Sequence, residues 1–103
     1  MPKYGLDPAA EQELKDIWAY VAKRNSDAAD RLVRAAYQTF QTLAEIPFAG
    51  KKRDFSHSRL RDLRSFRISG FDHYHIFYRI TGPGIYIVHI YHDARDLEVL
   101  FKE

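Results

Sequence analysis

Five histidines and a set of strand arginines are the side chains of this chain best suited to chemistry at neutral pH. Cleaving a phosphodiester without a metal needs a base for the attacking hydroxyl, positive charge at the phosphorane and an acid for the departing oxygen. Arg67, Arg79 and Arg95 could supply the charge. His75, His89 or His92 could move the protons, because imidazole titrates near neutrality. The five imidazoles (His57, His73, His75, His89, His92) equally suit half-buried strand positions bonded to nearby backbone. Metal ligation fits poorly: there is no cysteine and no His-Glu-x-x-His helix, and a His73–His92 pair across strands gives only two ligands. No serine sits in a nucleophile elbow, and Gly82-Pro83-Gly84 is a turn without the glycine spacing of a phosphate loop. No cofactor is expected.

Seven tyrosines and seven phenylalanines crowd the chain. Tyr74, Tyr78, Tyr86 and Tyr91 beside Arg67 and Arg79 could stack bases while guanidinium groups hold phosphates. Aromatics also favour strands simply because they fit a pleated, half-buried surface. Direct nucleic-acid binding is therefore left open.

Charge is distributed unevenly. Lys51, Lys52, Arg53, Arg59, Arg61, Arg64 and Arg67 face only Asp54 and Asp62 between Pro47 and Arg67, a local balance of +5 within a chain of net charge +2. Such a concentration raises the potential over one surface and favours an anionic partner. Nucleic acid and an acidic protein segment both meet that description.

These groups must be positioned by one small domain, since 103 residues leave no room for a second core. The 46% apolar and 29% charged content is that of a globular chain. The absence of cysteine rules out disulfides and thiolate chemistry and is compatible with a reducing cytoplasm. Neither a signal peptide nor the ~20 apolar residues of a membrane span is visible, so a cytoplasmic location is expected.

Asp7-Pro8 reads as N-cap and first helical residue, with Leu14, Ile17, Trp18 and Val21 on one face behind it. Trp18 is expected in the core. Asn25-Ser26-Asp27 ends this helix and caps a second, whose inward residues are predicted as Ala29, Leu32, Val33, Ala36, Phe40, Leu43 and Ile46. Pro47 stops it. Lys3 to Leu6 could form an edge strand, Phe48 to Asp62 shows no period, and from Leu63 the period becomes two.

Two strands, His73–Ile80 and Ile85–Tyr91, flank Thr81-Gly82-Pro83-Gly84. With Ile80 opposite Ile85, Tyr78 meets Ile87, Ile76 meets His89 and Tyr74 meets Tyr91 on the face assigned to the helices. The other face pairs Arg79 with Tyr86, Phe77 with Val88, His75 with Ile90 and His73 with His92. It carries more polar groups and is the candidate functional face. Asp93 to Phe101 reads as a short helix or an extended segment.

The segments EQELKDIWAYVAK, LAEIPFAGKKR, LRSFRI, HIFYRI and VHIYHDARDL together resemble the ParE/RelE superfamily of small bacterial toxins. The matching positions are Ile17-Trp18, Pro47 with Gly50, Arg64 with Arg67, Phe77-Tyr78-Arg79, and His92 with Arg95-Asp96. His89 stands where many relatives have arginine, so no role passes from that arginine. The resemblance implies an α+β fold over residues 1–103: an N-terminal strand and a two-helix hairpin on a small antiparallel sheet. It also implies a type II toxin with a cognate ParD-like antitoxin. The antitoxin's acidic segment would meet Lys51, Lys52, Arg53, Arg61 and Arg64 and an apolar groove along the helical hairpin.

ParE-like members are understood to poison DNA gyrase rather than cut RNA. RNA-cleaving relatives usually keep a tyrosine or histidine near the C-terminus, and where the tyrosine would be expected this chain has Phe101, which transfers no proton. Arg95, Asp96, Leu97 and Phe101 are then gyrase-contact candidates. The alternative is a RelE-like, ribosome-dependent mRNA endonuclease, with Arg67, Arg79, His89, His92 and Arg95 as its candidate catalytic residues.

Overall fold

Asp7 and Pro8 open a helix as their chemistry predicts. Asp7 is extended (φ −63°, ψ 140°), its Oδ1 accepts the Ala9 N–H at 2.8 Å, and Pro8 takes the first helical position. The structure, a computed structural model, describes residues 3–53 and 62–93. Strand β1 (Lys3–Leu6) precedes helix α1 (Pro8–Ala22). Asn25 Oδ1 accepts the Ala28 N–H at 3.0 Å and starts α2 (Ser26–Glu45). Ile46 leaves helical geometry ahead of Pro47, and a 3-10 turn follows at Pro47–Ala49.

Strands β2 (Lys51–Lys52), β3 (Arg64–Ile68), β4 (Phe71–Ile80) and β5 (Gly84–His92) complete a sheet of order β1-β5-β4-β3-β2. The α+β expectation holds, with one refinement: β1 pairs parallel to β5, so the sheet is mixed. Strand β2 has only two residues, too short to show any period.

Both helices pack on one face of the sheet. Ala10, Leu14 and Ile17 of α1 and Leu32, Ala36, Phe40 and Leu43 of α2 cluster with Ile68, Ile76, Tyr78, Ile85, Ile87 and Ile90. Each large apolar side chain buried there contributes about 1.5–3 kcal/mol. Thr39 Oγ1 donates to the Ala35 carbonyl at 2.7 Å and accepts the Ser69 N–H at 3.2 Å, fastening α2 to the β3–β4 turn.

Two core expectations fail. Trp18 is 41% exposed, because its indole N–H reaches out to Asp30 Oδ1 at 2.9 Å across the two helices. Ile46 is 52% exposed, because it leaves helical geometry at the end of α2, where the 3-10 turn from Pro47 begins.

The β4–β5 register is as predicted near the turn, where Ile80, Arg79 and Tyr78 meet Ile85, Tyr86 and Ile87. A bulge at Val88 then shifts it by one: Phe77 meets His89, Ile76 meets Ile90, His75 meets Tyr91 and Tyr74 meets His92. A one-residue shift exchanges faces, so Ile90 enters the helix-facing core and Tyr91 joins Phe77, Val88 and Leu63 on the other side. The expected pairs Ile76–His89, Tyr74–Tyr91, Phe77–Val88, His75–Ile90 and His73–His92 are corrected accordingly. The bulge gains by burying an isoleucine where a uniform ladder would place a histidine. Among the described residues, no helix is long and apolar enough to cross a membrane.

Candidate functional site

The face of the sheet away from the helices carries a groove of about 420 Å3 lined by Ala49, Lys51, Arg53, Ser65, Phe66, Arg67 and His75. Strand alternation puts Ser65 and Arg67 on this side of β3, while Ile68 points to the core. Arg53 is held by two bonds: its backbone N–H donates to Leu63 O at 2.7 Å, and its Nε donates to Ser65 Oγ at 2.6 Å. His75 lies under the groove, 5% exposed. Its buried Nε2 makes no hydrogen bond and stands 3.8 Å from Asp93 Oδ2. Burial holds its pKa below the ordinary value; Asp93 opposes that, while Arg67 and Arg53 reinforce it. Asp93 feels some burial too, but its contact with His73 Nδ1 (3.3 Å) and the charges of His73, His75 and His92 hold its carboxyl below the usual range.

Lys52, Asp62, Arg64, Arg79 and Ile80 line a separate depression. Arg64 is partly committed to structure: its Nη1 donates to Gly50 O at 2.7 Å, and its guanidinium lies 4.9 Å from the Phe48 ring centre. The described part of the basic cluster read from the sequence is therefore divided, with Lys51, Arg53 and Arg67 at one groove and Lys52 and Arg64, joined by Arg79, at the other, while Arg59 and Arg61 lie outside the described residues.

The candidate proton carriers are dispersed. His89 Nδ1 lies 3.2 Å from both carboxylate oxygens of Glu13 on α1, and its ring stacks on Tyr91. His92 packs edge-on against Tyr74 and stacks with His73 at the far end of the hairpin. Neither lines the groove that holds Arg67. Among the described residues no group of three or more His, Asp or Glu is arranged to hold a metal.

A third concavity lies between the helices, lined by Glu11, Leu14, Lys15, Trp18, Val33 and Tyr37, and it is mostly apolar. This groove along the helical hairpin is where the exposed Trp18 and Tyr37 face solvent.

A family model described as the ParE toxin of the type II toxin–antitoxin system parDE matches residues 4–97. The chain belongs to the ParE toxin family. The chromosomal ParDE TA system from P. aeruginosa includes a similar chain, with a TM-score of 0.69 and 18% identity over 89% of this chain and 96% of that one. At that identity the likeness is one of fold. No curated protein matches the chain.

Within this ParE-family chain the Pro-x-x-Gly motif has a structural reason. The Tyr78 hydroxyl donates to Pro47 O at 2.7 Å and accepts the Gly50 N–H at 2.8 Å. Arg61, Arg95, Asp96, Leu97 and Phe101, named from the sequence, lie outside the described residues, as does the segment after Asp93. Sequence reasoning missed Glu13, Ser65 and Asp93 as partners of the site histidines and Arg53. All three are acidic or hydroxyl residues with ordinary neighbours, and only tertiary contact marks them.

Proposed function

We propose that this ParE-family toxin inhibits DNA gyrase by surface contact and is neutralised by a cognate ParD-like antitoxin, with residues 1–103 acting as one toxin domain. The observation that carries the reading is the separation of the candidate catalytic groups. His89 is engaged by Glu13, His92 packs on Tyr74, and His75 beside Arg67 is too buried to take a proton from a ribose hydroxyl. General acid–base cleavage needs such groups within hydrogen-bond reach of the reacting atoms.

Contact with gyrase falls to Arg95, Asp96, Leu97 and Phe101, and antitoxin contact to Lys51, Lys52, Arg53, Arg61 and Arg64. The apolar groove between the helices suits an amphipathic antitoxin segment, read as spaced anchors along a helix. Its rim residues Glu11 and Lys15 pair at 3.4 Å and would set the orientation.

The test is purified toxin with gyrase, ATP and plasmid DNA. Supercoiling should be inhibited or cleaved DNA should accumulate, and truncation after His92 should abolish the effect while antitoxin binding persists. Intact gyrase activity, together with ribosome-bound mRNA cut at defined codon positions and spared by His92→Gln, would instead establish the endonuclease reading.

A further inference from the structure

We propose that the groove formed by Lys51, Arg53 and Arg67 over His75 is a phosphate-binding site, fit for a nucleic-acid backbone phosphate or a free phosphate. The proposal stands apart from the gyrase reading and does not rest on it.

Three cationic side chains line one groove. Arg53 is pre-oriented, since Nε is anchored on Ser65 Oγ at 2.6 Å, and among the described residues no partner is bonded to its terminal Nη groups, which can meet an incoming oxygen. The Arg67 side chain is exposed and, among the described residues, makes no hydrogen bond or ion pair. A carboxylate presents two oxygens in one plane, whereas a tetrahedral phosphate turns oxygens in several directions and can meet Lys51, Arg53 and Arg67 at once. Phe66 and Ala49 supply an apolar wall beside them.

His75 makes the site responsive to charge. The groups that face it are Arg67 from β3, Lys51 and Arg53 at β2, and Tyr91 and Asp93 at the end of β5, with His73 and His92 around Asp93. Asp93 opposes an incoming anion, but its contact with His73 at 3.3 Å offsets that charge when His73 is protonated. Burial lowers the imidazole pKa first, and Arg67 and Arg53 lower it further. An anion that neutralises them removes this effect and leaves Asp93 to favour the imidazolium. Binding should therefore take up a proton at His75, as a positioning group acting through its neighbours.

The full chain is titrated with inorganic phosphate and, separately, with an oligothymidylate lacking a terminal phosphate, following the His75 imidazole by NMR. Both probes are expected to shift that signal and to compete, and the tighter one identifies the source. Because the diester does not titrate in this range, oligothymidylate affinity should rise as pH falls through the His75 ionisation and should weaken with added salt. Arg67→Gln, an exposed change that spares the fold, should cost about tenfold or more in affinity. Arg34→Gln on α2 should leave affinity unchanged, and His75→Gln should keep binding but lose its pH dependence. Absence of any shift at His75 overturns the proposal. So does binding of both probes undiminished by Arg67→Gln, or a response only to an acidic peptide.

Discussion

The Tyr78 hydroxyl and the Gly50 amide meet at 2.8 Å, joining the C-terminal end of β4 to the turn that leaves α2. The same hydroxyl donates to Pro47 O at 2.7 Å, so one side chain satisfies both ends of the Pro47–Gly50 turn. A Cβ on Gly50 would lie 2.7 Å from Tyr78 Cε1 and 2.8 Å from Cζ, inside ordinary contact distance. The glycine is required by close approach of a ring, and its φ of −71° is one any residue adopts.

Tyr78→Phe should therefore destabilise by about 1–3 kcal/mol, the cost of leaving a largely buried amide and carbonyl unpaired. Gly50→Ala should cost a similar amount, about 1–3 kcal/mol, through overpacking. Urea denaturation at constant m-value measures both, and a Tyr78→Phe variant as stable as the parent would refute the tie.

Glu13 continues the work of β1 along the edge of β5. Past the bulge, where β1 has ended, its Oε1 accepts the Ile90 N–H at 3.0 Å and its carboxylate meets His89 Nδ1 at 3.2 Å. Glu13→Ala should cost about 1.5–3 kcal/mol, the range for hydrogen bonds to charged groups. Amide exchange at Ile90 should accelerate more than at Ile76, its cross-strand partner. Equal protection of Ile90 in both proteins would show that Glu13 is dispensable there.

Stability should fall in two steps as pH is lowered. Burial, reinforced by Arg67 and Arg53 against Asp93, holds His75 below its ordinary 6.5. The unfolded chain binds that proton more readily, so the His75 contribution is complete above pH 6.5 and is lost as pH falls toward the folded value. Asp7 is held below its ordinary 3.8, first by the Ala9 N–H and then by the Tyr86 hydroxyl. Asp93, also lowered, acts in the same range, and both contributions are lost only below pH 3.8. Thermal melts of His75→Gln should lack the upper step and keep the lower one.

Trp18 is the sole tryptophan, and it lines the groove between the helices. An antitoxin segment seated there should shift its emission to the blue and quench less with added iodide. Asp30→Ala removes the 2.9 Å partner of its indole N–H and should alter the emission of the free chain. If antitoxin binds tightly with no change at Trp18, it engages another surface.

Sequence alone determined the helices and most of the hairpin, because those elements depend on local chemistry. Asp7, Pro8 and Asn25 act within one turn of themselves, and Pro47 restricts the residue beside it. The alternation around Gly82-Pro83 fixed the register from Ile80 to Tyr78 for the same reason. The conjunction of motifs was enough to indicate the family. Tertiary structure decided the rest. The bulge at Val88 depends on Glu13, 77 residues from Ile90 in sequence, being present to receive the freed N–H. Trp18 left the core because Asp30 on another helix offered its indole a partner. The basic run looked like one patch in the sequence, but strand alternation and the Arg64–Gly50 bond divided it between two depressions. Which arginines converge, and that His75 lies buried beneath one set, depends on contacts between strands distant along the chain, which no local pattern encodes.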